Sequence, residues 1–275
     1  MTQVFDWQGE VGRKWARLHT LTDRAFSGLT QHLLERLERL PGDTVLDIGC
    51  GAGELSLALA RRRPGAEIVG VDVSADLVSA ARSRAGDRAN VRFIEADAAT
   101  WDPAAFRPDL LTSRHGVMFF PDPVAAFAHL HELAAPGANL LFSCFRDRRL
   151  NPWASEAAAL LPPEFVTPAD PLAPGPFAFA DDRRVAEILI RSGWNQVHCQ
   201  PLDFAYVVGM GDDPVAEARE FLSVIGPAAA GMEQLRGTSG EAAFLARMTE
   251  WLRENAADGM VSFPAAAWIV SARAG

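Results

Sequence analysis

Three glycines at alternate positions, Gly49, Gly51 and Gly53, follow directly on the run Thr44-Val45-Leu46-Asp47-Ile48, and an acid, Asp47, stands two residues before the first of them. A loop with that spacing turns tightly and lets a bound molecule approach the backbone, which a β-carbon would prevent. A helix starting at the loop points its free N–H groups at the same molecule. Two further acids repeat the arrangement, Asp72 at the end of Val69-Gly70-Val71 and Asp97 after Glu95-Ala96. If each run is a strand of one sheet, the three carboxylates share its C-terminal edge, where open α/β sheets bind ligands. The spacing G-x-G-x-G differs from the G-x-G-x-x-G fingerprint of dinucleotide sites. A buried acid would repel a pyrophosphate, whereas it suits a cationic nucleoside without phosphate.

The elements that must position these residues are read from periodicity. From about Thr44 to Phe145, short β-branched runs alternate with Ala/Leu-rich stretches, the pattern of a parallel sheet covered by helices. Strands are expected at Thr44–Ile48, Glu67–Val71, Val91–Glu95, Asp109–Thr112 and Ala138–Cys144, with helices from the glycine loop to Arg63, over Ala75–Ala85 and over Pro123–Leu133. The proline-rich stretch Asn151 to Phe179 reads as a loop-rich insertion suited to a lid. A helix over Asp181–Ser192, a strand near Gln196–Phe204, helices over Pro214–Val224 and Gly240–Asn255 and a strand over Met260–Ser271 then add two strands to the sheet. Before Pro41 the chain reads as helical, with Leu29, Leu33, Leu34, Leu37 and Leu40 at helical spacing for a core. The expectation is a single α/β domain over 1–275 with an open, mostly parallel seven-stranded sheet and helices on both faces. Residues 1–40 form an N-terminal helical cap, 41–146 a ligand-binding core, and 147–275 the lid insertions and remaining strands.

The segments Val45 to Gly53, Val69-Gly70-Val71-Asp72 and Glu95-Ala96-Asp97-Ala98 resemble motifs of the class I, Rossmann-like S-adenosylmethionine (SAM)-dependent methyltransferases of small molecules, a resemblance that extends over about Thr44 to Phe145. It implies SAM as cofactor, with Asp47, Gly49, Cys50, Gly51 and Gly53 around its methionine part. Asp72 would accept from the ribose hydroxyls, Asp97 would meet the adenine amine, Val73 would flank the ring, and Ala98 would offer a backbone N–H. The stretch Asp109 to Asp122 resembles the fourth-strand region of that family, which places Ser113 and Arg114 beside the transferred methyl. Ala138 stands where the family often has a second glycine in Pro136-Gly137-Ala138.

Methyl transfer from a sulfonium is an in-line displacement, so the protein's work is alignment and exclusion of water. A hydroxyl or protonated amine acceptor benefits from a general base, and histidine has the suitable unperturbed pKa. His115, after the fourth strand, and His19, on the N-terminal helices, are the candidates, each against the alternative of a structural role. Trp15, Phe119, Phe120, Trp153 and Phe177 supply apolar walls for an acceptor pocket. Arg114 or Arg146 could clamp an acceptor carboxylate, or simply form ion pairs.

With 26 Lys and Arg against 35 Asp and Glu, a net charge of −9, a nucleic-acid backbone is an unfavourable partner. The Asn/Asp-Pro-Pro-aromatic motif of exocyclic-amine methylation is not found after the fourth strand. No apolar run approaches the roughly 18–20 residues of a membrane span. Cys50, Cys144 and Cys199 are far apart, form no CxxC pair and suggest neither disulfides nor zinc. Met1 to Lys14 lacks the pattern of a secretory signal, so the expected location is the cytoplasm. No clustered His, Cys, Asp or Glu calls for a metal. Two other readings stay open: a SAM-binding sensor or interaction protein without turnover, and an NAD(P)-dependent oxidoreductase whose adenine ribose Asp72 would hold.

Overall fold

The computed structural model describes residues 4–165 and 170–275. Four short helices lead the chain: α1 (Val4–Trp7), α2 (Glu10–Arg17), α3 (His19–Ala25) and α4 (Ser27–Leu37). Leu29, Leu33, Leu34 and Leu37 of α4 are buried, as their spacing requires. α2 meets the body of the protein at Gly12, where a β-carbon would collide with the Trp7 carbonyl and the Ser74 hydroxyl. The helix can lie this close only because that position has no side chain.

The sheet is built from β1 (Thr44–Ile48), β2 (Glu67–Asp72), β3 (Val91–Glu95), β4 (Leu110–Arg114), β5 (Asn139–Phe145), β6 (Trp194–Met210), a two-residue β7 (Ala256–Ala257) and β8 (Met260–Ala274). Seven strands run in the order β3-β2-β1-β4-β5-β8-β6, and β7 pairs with β8 off that path. β1 to β5 are mutually parallel and only β8 is reversed, so the sheet is mostly parallel as expected. Residues 45–48 of β1 are all buried, which is how a central strand covered on both faces reads.

Helices α5 (Glu54–Arg62), α6 (Ala75–Ala85), α7 (Pro123–Leu133), α8 (Pro152–Ala159), α9 (Asp182–Arg191), α10 (Pro214–Val224), α11 (Ala229–Leu235) and α12 (Ser239–Glu254) complete the fold. Local chemistry sets their starts: the Ser74 hydroxyl accepts from the Leu77 N–H at α6, and Asp122 accepts from the Ala125 N–H at α7, with proline in its first turn. Because strand order reverses between β1 and β4, the loops leaving those strands diverge and open a crevice at the C-terminal edge of the sheet.

The structure departs from the expectations in the second half. The insertion contains α8, with Trp153, Ala154, Ala157 and Ala158 buried, where a loop was expected; residues 166–169 of the insertion lie outside those described. α11 is also additional. β6 and β8 extend to 17 and 15 residues and pair in a long antiparallel ladder with two register shifts. Pro201 and Pro264 lie on stretches of these strands with a partner on one side, where the missing N–H costs no ladder bond.

Candidate functional site

The glycine loop leaves β1 at the crevice. Gly49 (φ +62°) and Gly51 (φ +55°) both have left-handed backbone. A β-carbon at Gly49 would press on Gly116 of the loop after β4, whereas one at Gly51 would point into open space. The first glycine lets two loops touch, and the second leaves a bare backbone facing the crevice. The Gly51 N–H donates to Asp72 Oδ2 (2.8 Å) and the Ser74 N–H to Asp72 Oδ1 (2.9 Å), so the acid ending β2 ties the loop to the start of α6.

Asp47 is 1% exposed and accepts a hydrogen bond from the Ser56 hydroxyl. Burial pushes its carboxyl up to about 7, against the pull of Ser56 and Arg114 and with the push of the Asp72 charge. Burial raises Asp72 as well, opposed by the N–H groups of Ser74, Gly51 and Val73. Two buried carboxyls held above their ordinary range mark a place where a cation would be welcome. Asp97 Oδ1 accepts from the Ala99 N–H (2.9 Å) in the turn after β3.

One cleft gathers most of the expected residues. Asp47, Gly49, Cys50, Gly51, Asp72, Val73, Asp97, Ala98, Arg114, His115, His19, Trp15, Phe119, Phe120 and Trp153 all line it. Four do not. Gly53 begins α5 against the Phe93 ring. The Ser113 hydroxyl donates to the Ile48 carbonyl (2.6 Å) and accepts from the Gly116 N–H (3.1 Å), so it fastens β4 to β1 from within. Phe177 lies behind the lining, 5.7 Å from Phe145 and 6.2 Å from Trp153. Arg146 pairs with Asp203 (2.8 Å) and lies over the Trp268 ring (5.0 Å). Arg114 reaches the cleft already engaged: it pairs with Glu54, donates to the Thr30 hydroxyl (2.9 Å), and lies 3.9 Å from Asp23.

His115 has a left-handed backbone (φ +65°), its ring stacks on Phe145 at 4.1 Å, and Nδ1 meets the Ser143 hydroxyl at 3.3 Å. Nε2 is buried with no hydrogen-bond partner among the described residues. Burial lowers its pKa to about 3, offset in part by hydrogen bonding at Ser143 and helped by Arg114 nearby. The imidazole is therefore neutral and a weak base near pH 7. NMR titration should show the His115 ring resonances unmoved between pH 8 and pH 5; a midpoint near 6.5 would mean a solvated ring and restore it as a general base. His19 is half-buried, with Nδ1 2.9 Å from the Ala16 carbonyl.

Sequence reasoning missed much of the far wall. Trp7, Thr22, Asp23 and Phe26 come from the helical cap, and Phe145, Tyr206 and Ile225 from the second half. Tyr206 carried one usable signal: Phe204, Tyr206 and Val208 alternate as buried positions of a strand that continues beyond Phe204.

Residues 45–137 match the family model described as a methyltransferase domain. Trans-aconitate 2-methyltransferase of Afipia carboxidovorans is 37% identical over 127 residues, 46% of this chain and 45% of that protein. Demethylmenaquinone methyltransferase of Thermus thermophilus is 39% identical over 108 residues, 38% of this chain and 48% of that one. The chain thus spans about half the length of the curated relatives it matches. The solved structure of the [4+2]-cyclase SpnF shares the fold with a TM-score of 0.57 at 18% identity, over 99% of this chain and 97% of that one. The glycine loop, the acids at the ends of β1 and β2 and after β3, and the crevice between β1 and β4 thus all fall within the segment 45–137, which carries a methyltransferase domain.

Proposed function

We propose that the chain is a SAM-dependent methyltransferase acting on a small molecule, with 1–275 working as one unit in the cytoplasm. The observation that carries this reading is the convergence of Asp47, Asp72 and Asp97 on one cleft beside the bare backbone of Gly51. The donor set fits the cofactor: a cation meets carboxylates, the two ribose hydroxyls meet the remaining lone pairs of Asp72, and no phosphate has to be accommodated. Asp47 and the Gly49–Gly51 loop would hold the methionine part, Val73 would flank the adenine, and Asp97 and the Ala98 N–H would meet its edge. When bound, SAM supplies a methyl group on a positively charged sulfur, open to displacement by a nucleophile.

The chain's own residues then orient and seal. Trp7 meets Trp15 and Phe119 edge to face at 5.4 and 5.0 Å, an apolar stretch of the cleft lining that works to exclude water from the line of transfer. Neutral His115 serves as a hydrogen-bonding wall; proton removal from the acceptor falls to solvent or to the acceptor's own acidity. The net charge of −9 supports a small acceptor over a nucleic acid.

Calorimetric titration of the purified protein with S-adenosylhomocysteine, SAM and NADH tests the proposal. Saturable binding of the first two alone is expected. Binding of NADH alone would replace the methyltransferase reading by an oxidoreductase one. Binding of SAM with no turnover on any acceptor would favour a sensor.

A further inference from the structure

Beyond the cofactor residues, the floor of the cleft is made of five rings supplied by distant parts of the chain: Phe26 between α3 and α4, His115 after β4, Phe145 ending β5, Trp153 on α8 and Tyr206 on β6. They touch in a closed circuit, with centroid separations of 5.3 Å from Phe26 to His115, 4.1 Å to Phe145, 5.1 Å to Trp153, 4.8 Å to Tyr206 and 5.0 Å back to Phe26. The five rings are largely buried yet all border the cleft, so a flat ring lying against them would gain edge and face contacts on several sides. Tyr206, the chain's single tyrosine, brings a hydroxyl with no hydrogen-bond partner among the described residues.

The charge against this floor is that of Arg114, whose guanidinium lies 5.1 Å from the Phe26 ring centroid. It occupies the cation–π position at Phe26, so an ammonium acceptor finds that face of the floor already taken. Its pairing with Glu54 and Asp23 leaves little net field of either sign, so a charged acceptor, anion or cation, would lose its hydration without compensation. An uncharged ring meets neither cost.

Resting on the methyltransferase reading, we infer that the acceptor is an uncharged aromatic molecule that lies on the Phe26–His115–Phe145–Trp153–Tyr206 floor and presents a hydroxyl or carbonyl oxygen to Tyr206. This differs from a polycarboxylate such as the aconitate in one relative's name; that relative's match covers under half of this chain.

The test uses the full chain and three probes with the same ring and different charge at pH 7.5: 1-naphthol, 1-naphthoate and 1-naphthylmethylammonium. Each is titrated calorimetrically with and without saturating S-adenosylhomocysteine. The expected result is 1-naphthol binding at least tenfold more tightly than either charged probe, weakened about fivefold by Tyr206→Phe and about tenfold by Trp153→Ala, with S-adenosylhomocysteine affinity held within twofold. Should Trp153→Ala fail to fold, Tyr206→Phe, which keeps the ring, and the ranking on the wild-type protein still decide. Equal or tighter binding of a charged probe, absence of saturable 1-naphthol binding, or indifference to the folded variants would overturn the inference. Loss of S-adenosylhomocysteine binding alone would instead strike the methyltransferase reading, and the probe series without it would still judge the floor.

Discussion

Replacing Asp47 with asparagine should make the protein more stable and a poorer binder at once. The native carboxyl is held near 7, far above the value of about 3.9 it has in an unfolded chain. Between those two values the folded state keeps a proton that the unfolded state has lost, so the folded state is progressively penalised as pH rises from about 4 to about 7, and the penalty is constant above that. A shift of about 3 units corresponds to an upper bound of roughly 4 kcal/mol, and asparagine removes it while still accepting from Ser56. Thermal unfolding should therefore show Asp47→Asn above wild type by about 2–4 kcal/mol at pH 8 and nearly level with it at pH 4. The neutral amide offers less to an ammonium group, and SAM affinity should fall about 10- to 100-fold, the worth of one charge-assisted hydrogen bond. A variant less stable than wild type at pH 8 would mean that Asp47 is ionised and well paired in the free protein, and the electrostatic account of the site would fail.

Asp72→Ala should have the larger effect on binding. Two hydrogen bonds from a ribose to one carboxylate are together worth about 3–6 kcal/mol, so S-adenosylhomocysteine affinity should drop by roughly 100-fold or more. The substitution also deprives the Gly51 and Ser74 N–H groups of their acceptor and loosens the loop. Asp72→Asn retains one carbonyl acceptor and should lie between the two, which separates ribose recognition from loop support. Calorimetry giving a dissociation constant within threefold of wild type for Asp72→Ala would remove this residue from the cofactor site.

The half of the molecule legible in the sequence is the half whose signals are local. α6 and α7 begin and end where Ser74, Asp122 and Pro123 indicate, and β1 and β3 keep the expected bounds. The three acids line the cleft because each stands at a strand end or one turn beyond it, and parallel strands in register carry strand ends to one edge. The other half depends on partners far away in the chain. Phe26, Phe145 and Tyr206 read as ordinary apolar positions, and only the packing of the helical cap against the ends of β5 and β6 makes them neighbours. Trp153 was expected in a loop, yet it sits on a helix, where Asn151 Oδ1 receives both its indole N–H and the Ala266 N–H of β8. Ser113, next to Arg114 on the same strand, alternates inward and so works as a fastener within the sheet.

The helical cap touches not only the core but the last third of the chain: Lys14 pairs with Glu233 of α11 at 3.2 Å, and Arg24 pairs with Glu217 of α10. The cap wall of the cleft is thus fastened to α10 and α11, and bringing Phe26 to Tyr206 closes a loop of some 180 residues, an entropy cost of roughly 4–5 kcal/mol on a logarithmic scaling. The paired strands of residues 41–146 close shorter loops, the longest being the 65 residues between partners such as Asp47 and Thr112 on β1 and β4. During synthesis, which delivers the N-terminal part first, the half that carries the glycine loop and the three acids can take shape while the aromatic floor is still missing a wall. On the proposed reading, the acceptor surface is complete only after β6 has been made, well after the glycine loop and its acids.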